Sequence, residues 1–118
     1  MSDSHDLSGT IILVTDDGMG QAEPELRHKL IRIYLAMLLD NGLLPGAICF
    51  YADGVKLVVE GSPVLDLLKQ LEGKGVLLIS CVTCINYYNL AEKVAVGVMG
   101  GMHDIVAAQW QAGKVITL

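Results

Sequence analysis

The sequence predicts an α/β domain, a three-layer sandwich built around a mostly parallel sheet. Two observations lead there. Several short runs are apolar on both faces and rich in β-branched residues, as expected of strands covered from above and below. These runs alternate with stretches whose apolar residues recur every three or four positions, the spacing of helices laid across a sheet.

Residues 10–15 form the first such run and end in the turn cluster Asp16, Asp17, Gly18, Met19, Gly20, so a buried strand and a loop are expected. Pro24 suits the first turn of a helix and Gly42 its C-terminal cap. Between them Leu26, Leu30, Ile33, Tyr34, Met37 and Leu38 keep helical spacing. Residues 46–51 read as a second buried strand ending at Ala52, Asp53 and Gly54. Residues 55–60 fit either a strand or one helical turn. Ser62 and Pro63 look like an N-cap and first helical residue, and the helix then runs through Val64, Leu67, Leu68 and Leu71 to Gly73. A third strand is expected at 75–80, followed directly by Cys81-Val82-Thr83-Cys84 and a short helix over 85–90. The remainder predicts a strand at 94–98, a helix at 102–111 and a final strand at 114–118. The first nine residues are expected to be a loosely attached segment, and 10–118 a single domain.

Composition narrows the function. Of 118 residues, 53% are hydrophobic and 18% charged, enough for a core and unlike a disordered chain. A net charge of −5 with eight scattered Lys and Arg residues argues against nucleic-acid binding, which calls for a clustered basic face. Mean hydropathy is high, at +0.51, yet the longest apolar run, residues 33–39, is far short of the roughly 20 residues of a membrane span. Three cysteines, an odd number, with a polar, acidic start predict a cytoplasmic protein in a reducing compartment rather than a disulfide scaffold.

In a parallel α/β sheet, chemistry collects beyond the carboxyl ends of the strands. The sharpest candidate there is the pair Cys81 and Cys84. A thiol where a strand gives way to a helix meets the helix's free N–H groups, which favour the thiolate, the nucleophilic form. Thr83 lies between the two cysteines. Two cysteines three apart can meet across one turn, one attacking and one resolving; equally, cysteine is a common buried residue, and both can be packing. Zinc wants four closely paired ligands. Cys49, His28, His103 and His5 offer none at suitable spacing, so no metal or other cofactor is expected. Asp16, Asp17 and Gly18 offer a turn that could approach an anion, although no phosphate-binding pattern is present. Asp53 and Gly54 line the second loop. His103, in the first turn of the last helix, could assist a thiol or simply face solvent. The long helix carries an apolar arc of roughly 200°, where one sheet needs little over 100°. A subunit interface is the expected use of the excess.

The run Asp53-Gly-Val-Lys-Leu-Val-Val-Glu-Gly-Ser-Pro63 resembles the middle of DsrE-like proteins. Residues 75–80 followed by Cys81-Val-Thr-Cys84-Ile-Asn-Tyr-Tyr, then Val96-Gly97 through Gly101-Met-His-Asp-Ile105, then residues 114–118 extend the likeness over about 10–118. More closely, the chain is similar to the C-terminal domain of the YedF group, associated with sulfur and selenium metabolism. The resemblance implies a DsrE/DsrF-like sandwich assembled as dimers, trimers or larger rings. It also implies a cysteine after the third strand that, in sulfur-relay members, carries a persulfide between proteins. Cys81 matches that position, and Cys84 the second cysteine of the YedF-like pattern.

Two departures fall beside this position. Val82 stands where the pattern has glycine, so valine would be strained if the loop needs left-handed backbone there. Gly101, Met102 and His103 stand where it has Asn-Met-Tyr. YedF-like proteins also carry a TusA/SirA-type domain with its own cysteine; these 118 residues have none, so a separate TusA/SirA-like donor protein is expected. The function expected is sulfur relay: Cys81 accepts sulfur or selenium as a persulfide, and Cys84 resolves it or serves as a second acceptor. The alternatives are an oligomeric scaffold and a dithiol redox protein.

Overall fold

Isoleucine and valine are stiff at their first side-chain torsion and favour extended backbone. Runs holding them form five strands in the structure, a computed structural model describing residues 7–118. These are β1 (Thr10–Val14), β2 (Ala47–Phe50), β3 (Leu77–Cys81), β4 (Val98–Gly100) and β5 (Lys114–Thr117). They pair in the order β4-β3-β2-β1-β5, and every pair is parallel. The expected α/β sandwich is therefore present, with a wholly parallel sheet. The helices are α1 (Pro24–Asp40), α2 (Leu65–Gly73), α3 (Val82–Tyr87) and α4 (Met102–Gln111), with 3₁₀ segments at Ala52–Val58 and Ala91–Lys93.

Topology decides which face each helix covers. The chain steps from β1 through β4 in one direction, then crosses the whole sheet to β5. Parallel crossovers are right-handed, so reversing direction puts the last helix on the opposite face. Alternate strand residues then sort into two cores. Ile12, Val14, Ile48, Phe50 and Leu78 pack with Ile31 and Leu35 of α1, Leu68 and Leu71 of α2 and Ile85 of α3. Ile11, Leu13, Ala47, Cys49, Ile79 and Cys81 pack with Ile105 of α4. Each fully buried Ile, Leu or Phe contributes on the order of 2 kcal/mol, so the face with three helices carries most of the stability.

Four local expectations are changed by these contacts. Residues 55–60 take neither expected form throughout: Ala52–Val58 is a 3₁₀ segment that buries Val55, Leu57 and Val58. The helix foreseen from Ser62 and Pro63 begins at Leu65; the Ser62 hydroxyl instead accepts the Val64 N–H at 3.2 Å in the preceding turn. The helix foreseen at 85–90 begins at Val82, with no loop after β3. The strand foreseen at 94–98 lies later, at Val98–Gly100, because Val94 and Ala95 are taken up by antiparallel contacts with Val59 and Val58. At the N-terminus, Gly9 accepts hydrogen bonds from the N–H groups of Gly113 (2.9 Å) and Lys114 (3.2 Å). The rest of the segment expected to be loose, through residue 6 and including His5, lies outside the described residues. No helix among the described residues is long and apolar enough to cross a membrane.

The 3₁₀ segment lies hard against the end of β1. A Cβ on Gly54 would collide with the Val14 carbonyl oxygen. Gly54→Ala is predicted to lower stability by about 3 kcal/mol, the upper range for overpacking. Urea denaturation measures this, and a midpoint equal to that of the unsubstituted protein would show that the close approach does not exist.

Candidate functional site

Cys81 is the last residue of β3 and the N-cap of α3. Its side chain points to the α4 face, where it is buried with no exposed surface. The N–H groups of Thr83 and Cys84 face its sulfur without closing a formal capping hydrogen bond. One turn on, Cys84 is half-buried and packs against both cores. Its sulfur accepts the Ala52 N–H at 3.2 Å, so the loop after β2 reaches the pair.

Ala52 has φ +52, a left-handed conformation that costs an L-residue about 1–2 kcal/mol. Its neighbours hold it there. Tyr51 donates its N–H to the Val14 carbonyl at 3.1 Å, Gly54 donates to the Tyr51 carbonyl at 3.0 Å, and Gly54 is pressed on the end of β1. Strain kept in this way is a common mark of functional loops, and here it aims an N–H at sulfur.

The two thiols are inequivalent. Burial pushes Cys81 up, but the N–H groups of Cys84 and Thr83 and the Cys84 and Thr83 side chains outweigh it, leaving its pKa below the ordinary thiol value. Burial raises Cys84, the Ala52 N–H acts against this, and the adjacent Cys81 charge raises it further. Of the two, Cys81 is therefore the thiol that gives up its proton more readily. Cys49, inside β2, is pushed up to about 11 by burial and has no nucleophilic character near neutrality.

A polar rim adjoins Cys84. The Tyr88 hydroxyl donates to Asp53 Oδ1 at 2.6 Å, and Lys56 Nζ lies 3.1 Å from the same oxygen and 4.6 Å from the Tyr88 ring centroid. Tyr88 and then Lys56 hold Asp53 below the usual carboxylate range, while Asp53 pushes Tyr88 up to about 12. Tyr87 stands edge-on to Tyr88, with ring centroids 5.1 Å apart.

Of the residues singled out in the sequence, Cys81, Thr83, Cys84, Asp53 and Gly54 thus gather at the ends of β2 and β3. Asp16, Asp17 and Gly18 are engaged elsewhere. Asp17 Oδ1 lies 3.2 Å from His28 Nε2, Arg27 Nε lies 3.9 Å from Asp16, and a Cβ on Gly18 would come within 2.7 Å of the Arg27 carbonyl. That loop is fastened to α1. His103 is exposed, with Asp104 3.5 Å away as its ion-pair partner. Among the described residues, no three His, Cys, Asp or Glu side chains gather to hold a metal. Lys56 and Tyr88 belong to the site and are not among the residues the sequence singles out; Ala52 is expected in the loop after the second strand, but with no role of its own. Tyr88 is four residues beyond Cys84 and so on its side of a helix, a signal the sequence did contain; nothing in an alanine announces a left-handed backbone.

Val82 carries no left-handed strain, because it is the first residue of α3 and the described non-glycine residues with positive φ are Ala52 and Asn89. The two positions predict opposite effects. Ala52→Gly is predicted to raise stability by about 0.5–1 kcal/mol, the relieved strain exceeding glycine's larger unfolded-state entropy. Val82→Gly is predicted to lower it by about the same amount. Thermal denaturation reads both signs. Limiting iodoacetamide at neutral pH is predicted to label the Cys81–Cys84 pair before Cys49. The rate for the pair should rise with pH around a midpoint below 9.0, and that for Cys49 only near 11. Slow, equal labelling of all three cysteines would refute an activated thiol.

Comparison with known proteins agrees with this architecture. Among solved structures, the fold is similar to YchN from E. coli, with a TM-score of 0.66 at 18% identity over 92% of this chain and 98% of that one. It is also similar to MTH1491 from Methanobacterium thermoautotrophicum, described as a protein of unknown function, at TM-score 0.65 and 17% identity, covering 92% and 97%. BT1422 from Bacteroides thetaiotaomicron, likewise of unknown function, gives TM-score 0.63 and 13% identity, covering 97% and 100%. No curated protein sequence matches. The model of the DsrE/DsrF-like family matches residues 10–118, and the chain belongs to that family.

Proposed function

We propose that the protein is a sulfur-relay carrier that holds a persulfide on Cys81 and receives it from, and returns it to, separate proteins. The observation that carries this reading is the placement of a thiolate-favoured Cys81 against a second, half-exposed thiol at the loop end of the sheet. A persulfide forms when a thiolate attacks the outer sulfur of a donor persulfide, so a stabilised thiolate with a neighbouring sulfur is the required equipment. Family membership supports the same chemistry, generally linked to sulfur relay. Likeness to the YedF group extends the cargo to selenium and points to a TusA/SirA-like protein as donor. No metal or organic cofactor enters the reaction.

The adjacency of the two sulfurs also favours a competing reading, a dithiol that cycles through a Cys81–Cys84 disulfide. Intact-mass analysis after incubation with a persulfide donor separates them. The wild-type protein is predicted to gain one sulfur atom, removable by dithiothreitol, and the double variant Cys81→Ser/Cys84→Ser to gain none. A wild-type protein that stays unloaded but oxidises cleanly to the internal disulfide would establish the redox reading instead.

Exposed apolar surface supports a homo-oligomer. Leu26, Leu30, Ile33 and Met37 of α1 are each between 37% and 53% exposed and run as one stripe, so the described residues do not cover the excess arc. Met102, Val106 and Trp110 form a second stripe on α4, with Trp110 84% exposed. Such surface is rarely left to water. Light scattering is predicted to give a mass above that of the monomer, falling in the double variant Ile33→Lys/Met37→Lys. A clean monomer at micromolar concentration would overturn this.

A further inference from the structure

Cys81 has no exposed surface, whereas Cys84, against it, reaches the rim. Transfer of sulfur between proteins requires the attacking sulfur to approach the outer sulfur of the donor along the line of the S–S bond, so access decides which thiol a donor can meet. We propose that sulfur enters and leaves through Cys84, and that Cys81 is an internal store reached only through it. This rests on the persulfide-carrier reading and adds to it an order of transfer and a size filter.

The step balances without an external oxidant. The Cys84 proton passes to the Cys81 thiolate beside it, and the Cys84 thiolate so formed receives the Ala52 N–H. It attacks the outer sulfur of a protein persulfide; a new S–S bond forms at Cys84 as the donor's S–S bond breaks, and the donor leaves as a thiolate. Cys81 then attacks the outer sulfur on Cys84. A second S–S bond forms as the first breaks, and the proton of Cys81 goes to the departing Cys84 sulfur. The sum is one donor persulfide plus one Cys81 thiolate giving one donor thiolate plus one Cys81 persulfide, with no net change of oxidation state. Discharge is the reverse.

Ala52 is a positioning residue in this scheme, since its N–H serves the outer sulfur and not the inner one. The arrangement gives the store its value. A persulfide on Cys81 sits within the apolar core under α4, out of contact with bulky thiols that would strip it, and becomes available when a partner engages Cys84.

The test compares two donors, a persulfidated single-cysteine protein and inorganic polysulfide, on Cys81→Ala and Cys84→Ala, with the added sulfur located by peptide mass spectrometry. Cys84→Ala is expected to lose uptake from the protein donor by about tenfold or more, yet to load Cys81 from polysulfide, which needs far less access. Sulfur on Cys81 with none on Cys49, which the fold buries completely, also reports that the variant is folded. Cys81→Ala is expected to take sulfur from the protein donor more slowly, on Cys84, and to lose it to added glutathione faster than the wild-type protein does. The proposal is overturned if Cys84→Ala accepts sulfur from the protein donor at the wild-type rate, or if Cys81→Ala never carries sulfur on Cys84. A wild-type protein that loads from neither donor removes the carrier reading itself, a result distinct from both.

Discussion

The site depends on one close approach, that of the Gly54 backbone to the carbonyl end of β1. Without a side chain at 54, the 3₁₀ segment can sit directly on the sheet, and the hydrogen bond from Tyr51 to Val14 locks its entry. The chain leaving β2 then has no room to relax at Ala52. Its left-handed turn is the geometric result, and the N–H directed at Cys84 follows from that turn. Asp53 and Lys56 are carried on the same segment, so the polar rim is set by the same contact. A single packing constraint between neighbouring strands thus fixes groups belonging to the third.

The sheet was legible because its signal is local and strong. Residues 11–14, 47–50 and 76–79 are apolar throughout, and only a strand covered on both faces asks for that. Elements decided by long-range pairing were harder to read. Val94 and Ala95 have the composition of a strand, but their hydrogen bonds go to Val58 and Val59, and the edge strand starts only at Val98. The thiol pair was legible from spacing and its place after β3. Its asymmetry was not, because burial of Cys81 and partial exposure of Cys84 depend on α4 covering one face, a matter of topology. The Val82 departure carries no strain for a related reason: α3 begins three residues before the helix expected at 85–90, so the position is helical and not part of a turn.

Charge is used sparingly around the sulfurs. Arg32 and Asp66 form a paired contact at 2.8 and 3.0 Å between α1 and α2, but both are half exposed, and such pairs contribute little. Beside Cys84, the Asp53 charge is matched by Lys56 and by the Tyr88 hydroxyl. An unmatched carboxylate there would repel an approaching anionic sulfur. Neutralising it locally leaves backbone N–H groups as the main field felt by the pair, and these do not change with pH or move with side-chain rotation.

The pairing of β1 with β5 has a kinetic consequence. Thr10 lies opposite Lys114 and Leu13 opposite Thr117, so this ladder joins segments nearly a full chain length apart. Contacts of that separation close late, after the loop entropy between them has been offset by other structure. An early folding species can assemble β1, β2 and β3 under α1 and α2 while one flank of β1 stays unpaired. That flank carries Ile11, Ile12, Leu13 and Val14 with free backbone groups, a template for strand pairing between molecules. The rate of docking β5 therefore sets how long each new molecule remains vulnerable to aggregation.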